Sequence, residues 1–207
     1  MLRVILKELK HHAPFTFAGA ACGILFMLIF RKMPPDTARN FFYVFHPLHV
    51  FLSALVTTSI FRLHTKGRPV PLVTVLLIGY FGSVGIATLS DSLIPYLGES
   101  LLNLPNRGVH LGFIEEFWLV NPMAFLGIAA ALIKPATKFT HSGHVLLSTW
   151  ASLFHILMAL GGYLAWASYL VILFFLFIAV WIPCCVSDII FPLLFLPKSK
   201  ISCCDEK

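Results

Sequence analysis

Stretches of about 20 mainly apolar residues recur along the whole chain, which is the length a helix needs to cross the hydrocarbon core of a bilayer. They run from Ala13 to Phe30, Phe41 to Leu63, Val70 to Leu89 or on to Leu97, Pro122 to Ile133 with an apolar lead-in from Gly112, Phe139 to Leu160, and Tyr169 to Leu196. The breaks carry turn formers and charge: Arg31 to Asp36 with two prolines, Lys66-Gly67-Arg68-Pro69, Glu99 to Arg107, Lys134-Pro135 and Gly161-Gly162. Hydrophobic residues make up 58% of the chain and charged ones 12%, against roughly 25% charged in a soluble domain, so nothing remains to build a separate soluble unit. The expected fold is an all-α integral membrane protein of six transmembrane helices, with the lipid bilayer as its first partner.

Basic residues set the expected orientation. With a cytoplasmic N-terminus, that side receives Arg3, Lys7, Lys10, Arg62, Lys66, Arg68, Lys134, Lys138, Lys198, Lys200 and Lys207, and the other side Arg31, Lys32, Arg39 and Arg107. The positive-inside rule then puts both termini in the cytoplasm. The net charge of +6 is explained by this topology and does not argue for nucleic acid. No cleavage site follows Arg3, Lys7 and Lys10, so the first segment is read as retained.

Internal repetition divides the chain. His46-Pro47-Leu48-His49-Val50-Phe51-Leu52-Ser53 recurs 95 residues later as His141-Ser142-Gly143-His144-Val145-Leu146-Leu147-Ser148, an HxxHVxLS pattern. Ser90-Asp91 with Pro95 recurs 97 residues later as Ser187-Asp188 with Pro192. Glu8, Pro14 and Gly19 recur 108 residues later as Glu116, Pro122 and Gly127. Residues 1–98 therefore read as one three-helix repeat, and 99–207 as a second that ends in a short cytoplasmic tail. An odd number of spans per half forces the halves into opposite orientations, the inverted-repeat plan common among secondary transporters.

The repeated residues are those that carry chemistry. On a helix, His46, His49, Ser53 and Thr57 share one face, as do His141, His144, Ser148 and Ser152. Ionisable groups at membrane depth are costly, so Asp91 and Asp188 mark function and need partners. Imidazoles plus a carboxylate suit zinc and its first-row neighbours, whereas calcium and magnesium want mostly oxygen. The expected ligands to a divalent metal ion, as substrate or cofactor, are His46, His49, Asp91 and Glu116 near the outer side and His141, His144, Asp188 and Glu8 near the inner side. Ser90 and Ser187 would orient the carboxylates, with Ser53 and Ser148 in support. Alternatively, Pro47, Pro95 and Pro192 break the helices enough to gather both sets at one midplane centre. Cys184 and Cys185 lie within one turn of Asp188, where thiolates would favour soft metals, although cysteine is also an ordinary small filler. His64, His110 and His155 lack repeat counterparts and read as packing or interface residues. Gly79, Gly82 and Gly85 read as points of close helix approach.

These features point to a permease that moves a divalent transition-metal ion by rocking one half against the other, with proton exchange at histidines and carboxylates as coupling. An intramembrane zinc-dependent hydrolase acting on a lipid-like substrate is the alternative enzyme class. A membrane subunit of a larger complex, or a homo-oligomer, is a third reading. No Walker motif or nucleophile elbow is present, so no ATP-driven action by this chain is expected.

Overall fold

The computed structural model describes residues 2–65, 69–135, 138–161, 164–185 and 190–195, which are helical with no strand among them. The long helices are α1 (Leu2–Phe30), α2 (Pro35–His64), α3 (Leu72–Leu101), α4 (Phe117–Ile133), α5 (Lys138–Ala159) and α6 (Trp166–Cys185). Short helical turns cover Gly112–Glu115 and Phe191–Leu194. Four stretches are long and apolar enough to cross a membrane: His12–Phe30, Pro35–His64, Leu72–Leu101 and Trp166–Cys184. The apolar stretches of α4 and α5 are shorter. Large apolar side chains such as Ile29, Ile133 and Leu170 face outward, while His46, His49, Ser53, Thr57, Asp91, His144, Ser148 and Ser152 are buried. Apolar outside and polar inside suits lipid as the surrounding medium, and is consistent with a multi-pass membrane protein.

α2 is the central element, packing along α5 and α4. It runs antiparallel to α5. The contacts Phe42 with His155, Phe45 with Trp150 and His49 with His144 descend one helix as they climb the other. α2 starts at Pro35, six residues before the apolar run at Phe41. Proline is tolerated at the first helical position, where no partner for its missing N–H is needed, and Asp36 in the first turn complements the helix dipole. His49 therefore lies ~21 Å along a helix of ~45 Å, near its middle.

α3 runs past Leu97 to Leu101. Two segments of it, Phe81–Gly85 and Leu89–Leu93, are wound as π-helix. The second ends two residues before Pro95, whose ring in a regular α-helix would meet the carbonyl of Asp91 four residues back. A wider turn gives that ring room, and the helix continues through Pro95 to Leu101. Small residues bring the helices together. A Cβ on Gly127 of α4 would collide with the Phe51 carbonyl of α2, and one on Gly79 of α3 would come within 2.5 Å of Thr58 and 2.7 Å of Ile128. Gly82 is equally tight against Phe191 and Thr57, whereas Gly85 faces open space.

Candidate metal centre

Asp91 organises the interior. It lies in the π-helical turn of α3 and is fully buried, with both carboxylate oxygens taken up. Oδ2 lies 2.9 Å from His46 Nδ1 and 2.6 Å from His49 Nδ1. Oδ1 accepts from Ser90 Oγ at 2.6 Å and from Ser148 Oγ on α5 at 3.1 Å. A buried carboxylate without partners would be prohibitively costly, and four donors from three helices satisfy this one. With Asp91 ionised, both Nδ1 atoms carry the proton they donate. The Nε2 lone pairs then point elsewhere.

Nε2 of His46 and of His49 are buried with no hydrogen-bond partner among the described residues. The two rings face different neighbours. His46 stacks on Phe42, 5.1 Å between centroids and 9° apart, and turns its Nε2 towards Gly112, where only the absence of a Cβ leaves room. His49 faces across to α5, its ring 4.5 Å from that of His144. Cys184 of α6 completes this group. One ligand atom from each of His49, His144 and Cys184 lies within 4.8 Å of the others, and all three residues are buried. The structure thus brings His46, His49, Asp91, His144, Ser90, Ser148 and Cys184 into one neighbourhood, from α2, α3, α5 and α6. Ser53 is buried on the same helix as His49.

Glu116 is elsewhere. It is partly exposed and pairs with Arg39 at 3.8 Å. Ser187 and Asp188 lie outside the described residues, as do the side chains of Glu8, His141 and Cys185.

A second polar group was not legible as a site. Glu99 and His155 are both buried, with His155 Nδ1 2.7 Å from Glu99 Oε1. Ser92 Oγ lies 3.2 Å from His155 Nε2 and accepts the backbone N–H of His110 at 3.0 Å. By sequence, His155 reads as a packing or interface residue and Glu99 as the start of a connection. The available signal was the stripe on α5, where Ser148, Ser152 and His155 follow at four and three residues, and on α3, where Ser92 and Glu99 are seven apart. Towards the exposed rim, His110 Nδ1 is 3.2 Å from Glu115 Oε2, to which Tyr43 also donates at 2.5 Å. Partial burial pushes the Glu115 carboxyl up, but the Tyr43 hydroxyl, the His110 ring and the Leu111 N–H more than offset it. The group titrates below the ordinary carboxylate range.

No protein-family model, no curated protein and no solved structure matches the chain.

Proposed function

We propose that the chain is a permease for a divalent transition-metal ion, which it binds at His49, His144 and Cys184. The observation that carries this reading is the convergence of two imidazoles and a thiol from three helices in a wholly buried interior. That ligand set suits zinc, and a thiolate extends it to softer ions such as cadmium. Zinc at 2.0–2.3 Å from each ligand would hold them roughly 3.3–3.7 Å apart, so the group closes slightly around the ion. Since Asp91 already occupies Nδ1 of His49, Nε2 is the nitrogen left to bind metal. Asp91 then acts as the orienting carboxylate behind a ligand histidine and not as a ligand itself. His46, held by the same oxygen, offers its Nε2 on the side of Gly112.

Transport is favoured because the polar residues form a column. His46, His49, Ser53 and Thr57 on α2 and His144, Ser148, Ser152 and His155 on α5 each stay buried over eleven residues, ~16 Å of rise, about half the hydrocarbon thickness. The inverted plan of six spans in two halves is supported by a pair of matching contacts. Gly19 of α1 sits under Thr149 of α5, and Gly127 of α4 sits under Ala54 of α2. Gly127 is the repeat counterpart of Gly19, and Thr149 lies 95 residues beyond Ala54, the offset of the histidine motifs. His49 and His144 are likewise counterparts, so the pair would lie on the pseudo-two-fold axis between the halves. Rocking about such an axis exposes a central ion to each side in turn. The excess of basic residues at one end favours cytoplasmic termini.

One feature favours the hydrolase as second reading. An apolar groove of about 540 Å³ runs between α1 and α5 from Phe15 to Ile29, and its wall includes Val145, which packs on Cys184. Three protein ligands leave the fourth zinc position for water. To separate the two, purified protein is placed in liposomes loaded with a zinc-sensitive dye, for wild type, His49→Ala and His144→Ala. Zinc influx in wild type that either substitution abolishes supports the permease. Stoichiometric zinc binding without influx overturns transport in favour of hydrolysis, and failure to bind zinc overturns both.

A further inference from the structure

Glu99, His155 and Ser92 form a buried group that metal binding at His49, His144 and Cys184 does not use. Its hydrogen bonds accommodate two protonation states without rearrangement of the backbone. In the neutral state, His155 Nδ1–H donates to Glu99 Oε1 over 2.7 Å, and the Ser92 hydroxyl, whose oxygen already accepts the His110 N–H, donates to Nε2 over 3.2 Å. In the imidazolium state, Nε2–H donates instead, and Ser92 Oγ accepts from both His155 and His110 while its own proton rotates away. A hydroxyl has one donor and two lone pairs, so it can serve either role.

The group lies between the exposed rim and the metal centre. On the rim side, the His110 ring is 5.3 Å from that of His155 and bonds to Glu115, and the Gly108 N–H approaches Glu99 Oε2 at 3.4 Å. On the α2 side, Phe42 contacts His155 edge-on at 5.5 Å and stacks on His46 behind it. On the α5 and α3 side, Ser152 Oγ donates to the Ser90 carbonyl, and Ser90 Oγ to Asp91. From α6, Phe175 covers Gly98 next to Glu99. The facing ionisable groups are therefore His110, with Glu115 behind it, and Asp91 with its histidines beyond Ser90. Buried His and Glu arranged in series are the parts from which membrane proton relays are built.

We propose that Glu99, His155 and Ser92 are a proton-binding station, loaded from the His110–Glu115 rim, that couples proton movement to metal passage. The proposal rests on the permease reading and adds its energy source. Rotation of the His110 ring would close the gap to His155, so the proton enters by way of Glu115.

The test measures zinc accumulation in proteoliposomes with an imposed pH gradient and the membrane potential clamped, for wild type, His155→Gln, Glu99→Gln and the milder Ser92→Ala. In wild type, each unit of gradient shifts steady-state accumulation about tenfold per proton exchanged. In His155→Gln and Glu99→Gln, zinc binds with wild-type stoichiometry and runs down its own gradient, but accumulation no longer follows the pH gradient. Ser92→Ala is expected to weaken the dependence several-fold. Infrared difference spectra of zinc-free protein after a pH jump should contain an imidazole protonation band that His155→Gln removes. Accumulation that follows pH equally in wild type and variants overturns the station and leaves the permease standing. Absence of the band overturns the station whatever the transport result. Absence of any zinc flux in wild type overturns the permease reading and the coupling with it.

Discussion

The rings of His49 and His144 meet at 4.5 Å between centroids, inclined by 35°, although 95 residues separate them in the chain. Each is the second histidine of the same HxxHVxLS motif, and antiparallel packing of α2 on α5 turns the two copies face to face. The candidate centre therefore draws on residues far apart in the sequence.

Asp91→Asn tests the orienting role. The amide presents N–H groups to donors that need an acceptor, and both histidines lose the partner that fixes Nδ1 as protonated. Zinc affinity, measured by competition with a chromophoric chelator on purified protein, is expected to fall about 10- to 100-fold. Unchanged affinity would show that Asp91 does not orient a ligand.

Cys184→Ser tests the sulfur ligand. A hydroxyl is a poor partner for soft ions, so cadmium affinity should fall by a larger factor than zinc affinity, while manganese is barely affected. Equal losses for cadmium and zinc would assign Cys184 to packing against Val145 and Val180.

Gly112→Ala tests the space beside His46. The new Cβ would lie 2.6 Å from His46 Cδ2 and 2.7 Å from Nε2, so the ring must move off Asp91 or the turn must shift. Thermal unfolding in detergent should reveal a loss of about 1–3 kcal/mol. A wild-type melting curve would mean the turn yields freely.

Gly127→Ala and Gly19→Ala test two close helix contacts, and they should differ. At Gly127 the new methyl meets the Phe51 backbone carbonyl, which cannot rotate away. At Gly19 it meets Thr149 side-chain atoms at 3.6 Å, an ordinary contact. Gly127→Ala is expected to cost about 1–3 kcal/mol in the same assay, and Gly19→Ala to leave the melting temperature close to wild type.

Glu115→Gln tests the rim. The folded carboxyl titrates below its unfolded value, so the stabilisation it gives is present above the unfolded value and lost as pH falls through the folded one. The variant should melt below wild type at neutral pH, with the gap closing as the buffer is taken below the ordinary carboxylate range. A gap independent of pH would trace it to packing.

Much of this organisation was legible from residue type and spacing. Long apolar runs marked the candidate spans, and the HxxHVxLS repeat singled out His46, His49, His144 and Ser148, all buried together. The start of α2 was harder to read, because an apolar run need not begin where its helix does: Pro35 and Asp36 extend α2 by six residues before Phe41, and His46 and His49 fall near mid-helix. The role of Asp91 was also hidden, since a sequence gives a carboxylate but not the four donors that saturate it. Glu99 and His155 have no counterparts in the repeated motifs, so nothing in the repetition marks them as a pair.

The π-helical turn at Leu89–Leu93 has one more effect. An α-helix advances its side chains so far per residue that three consecutive ones fan over more than half its circumference. Winding the turn wider spends less rotation per residue. Ser90, Asp91 and Ser92 can thus all address the interior, the first two towards His46, His49 and Ser148 and the third towards His155. A single stretch of backbone holds both histidine groups, and a shift in how tightly it is wound would be felt by the two at once.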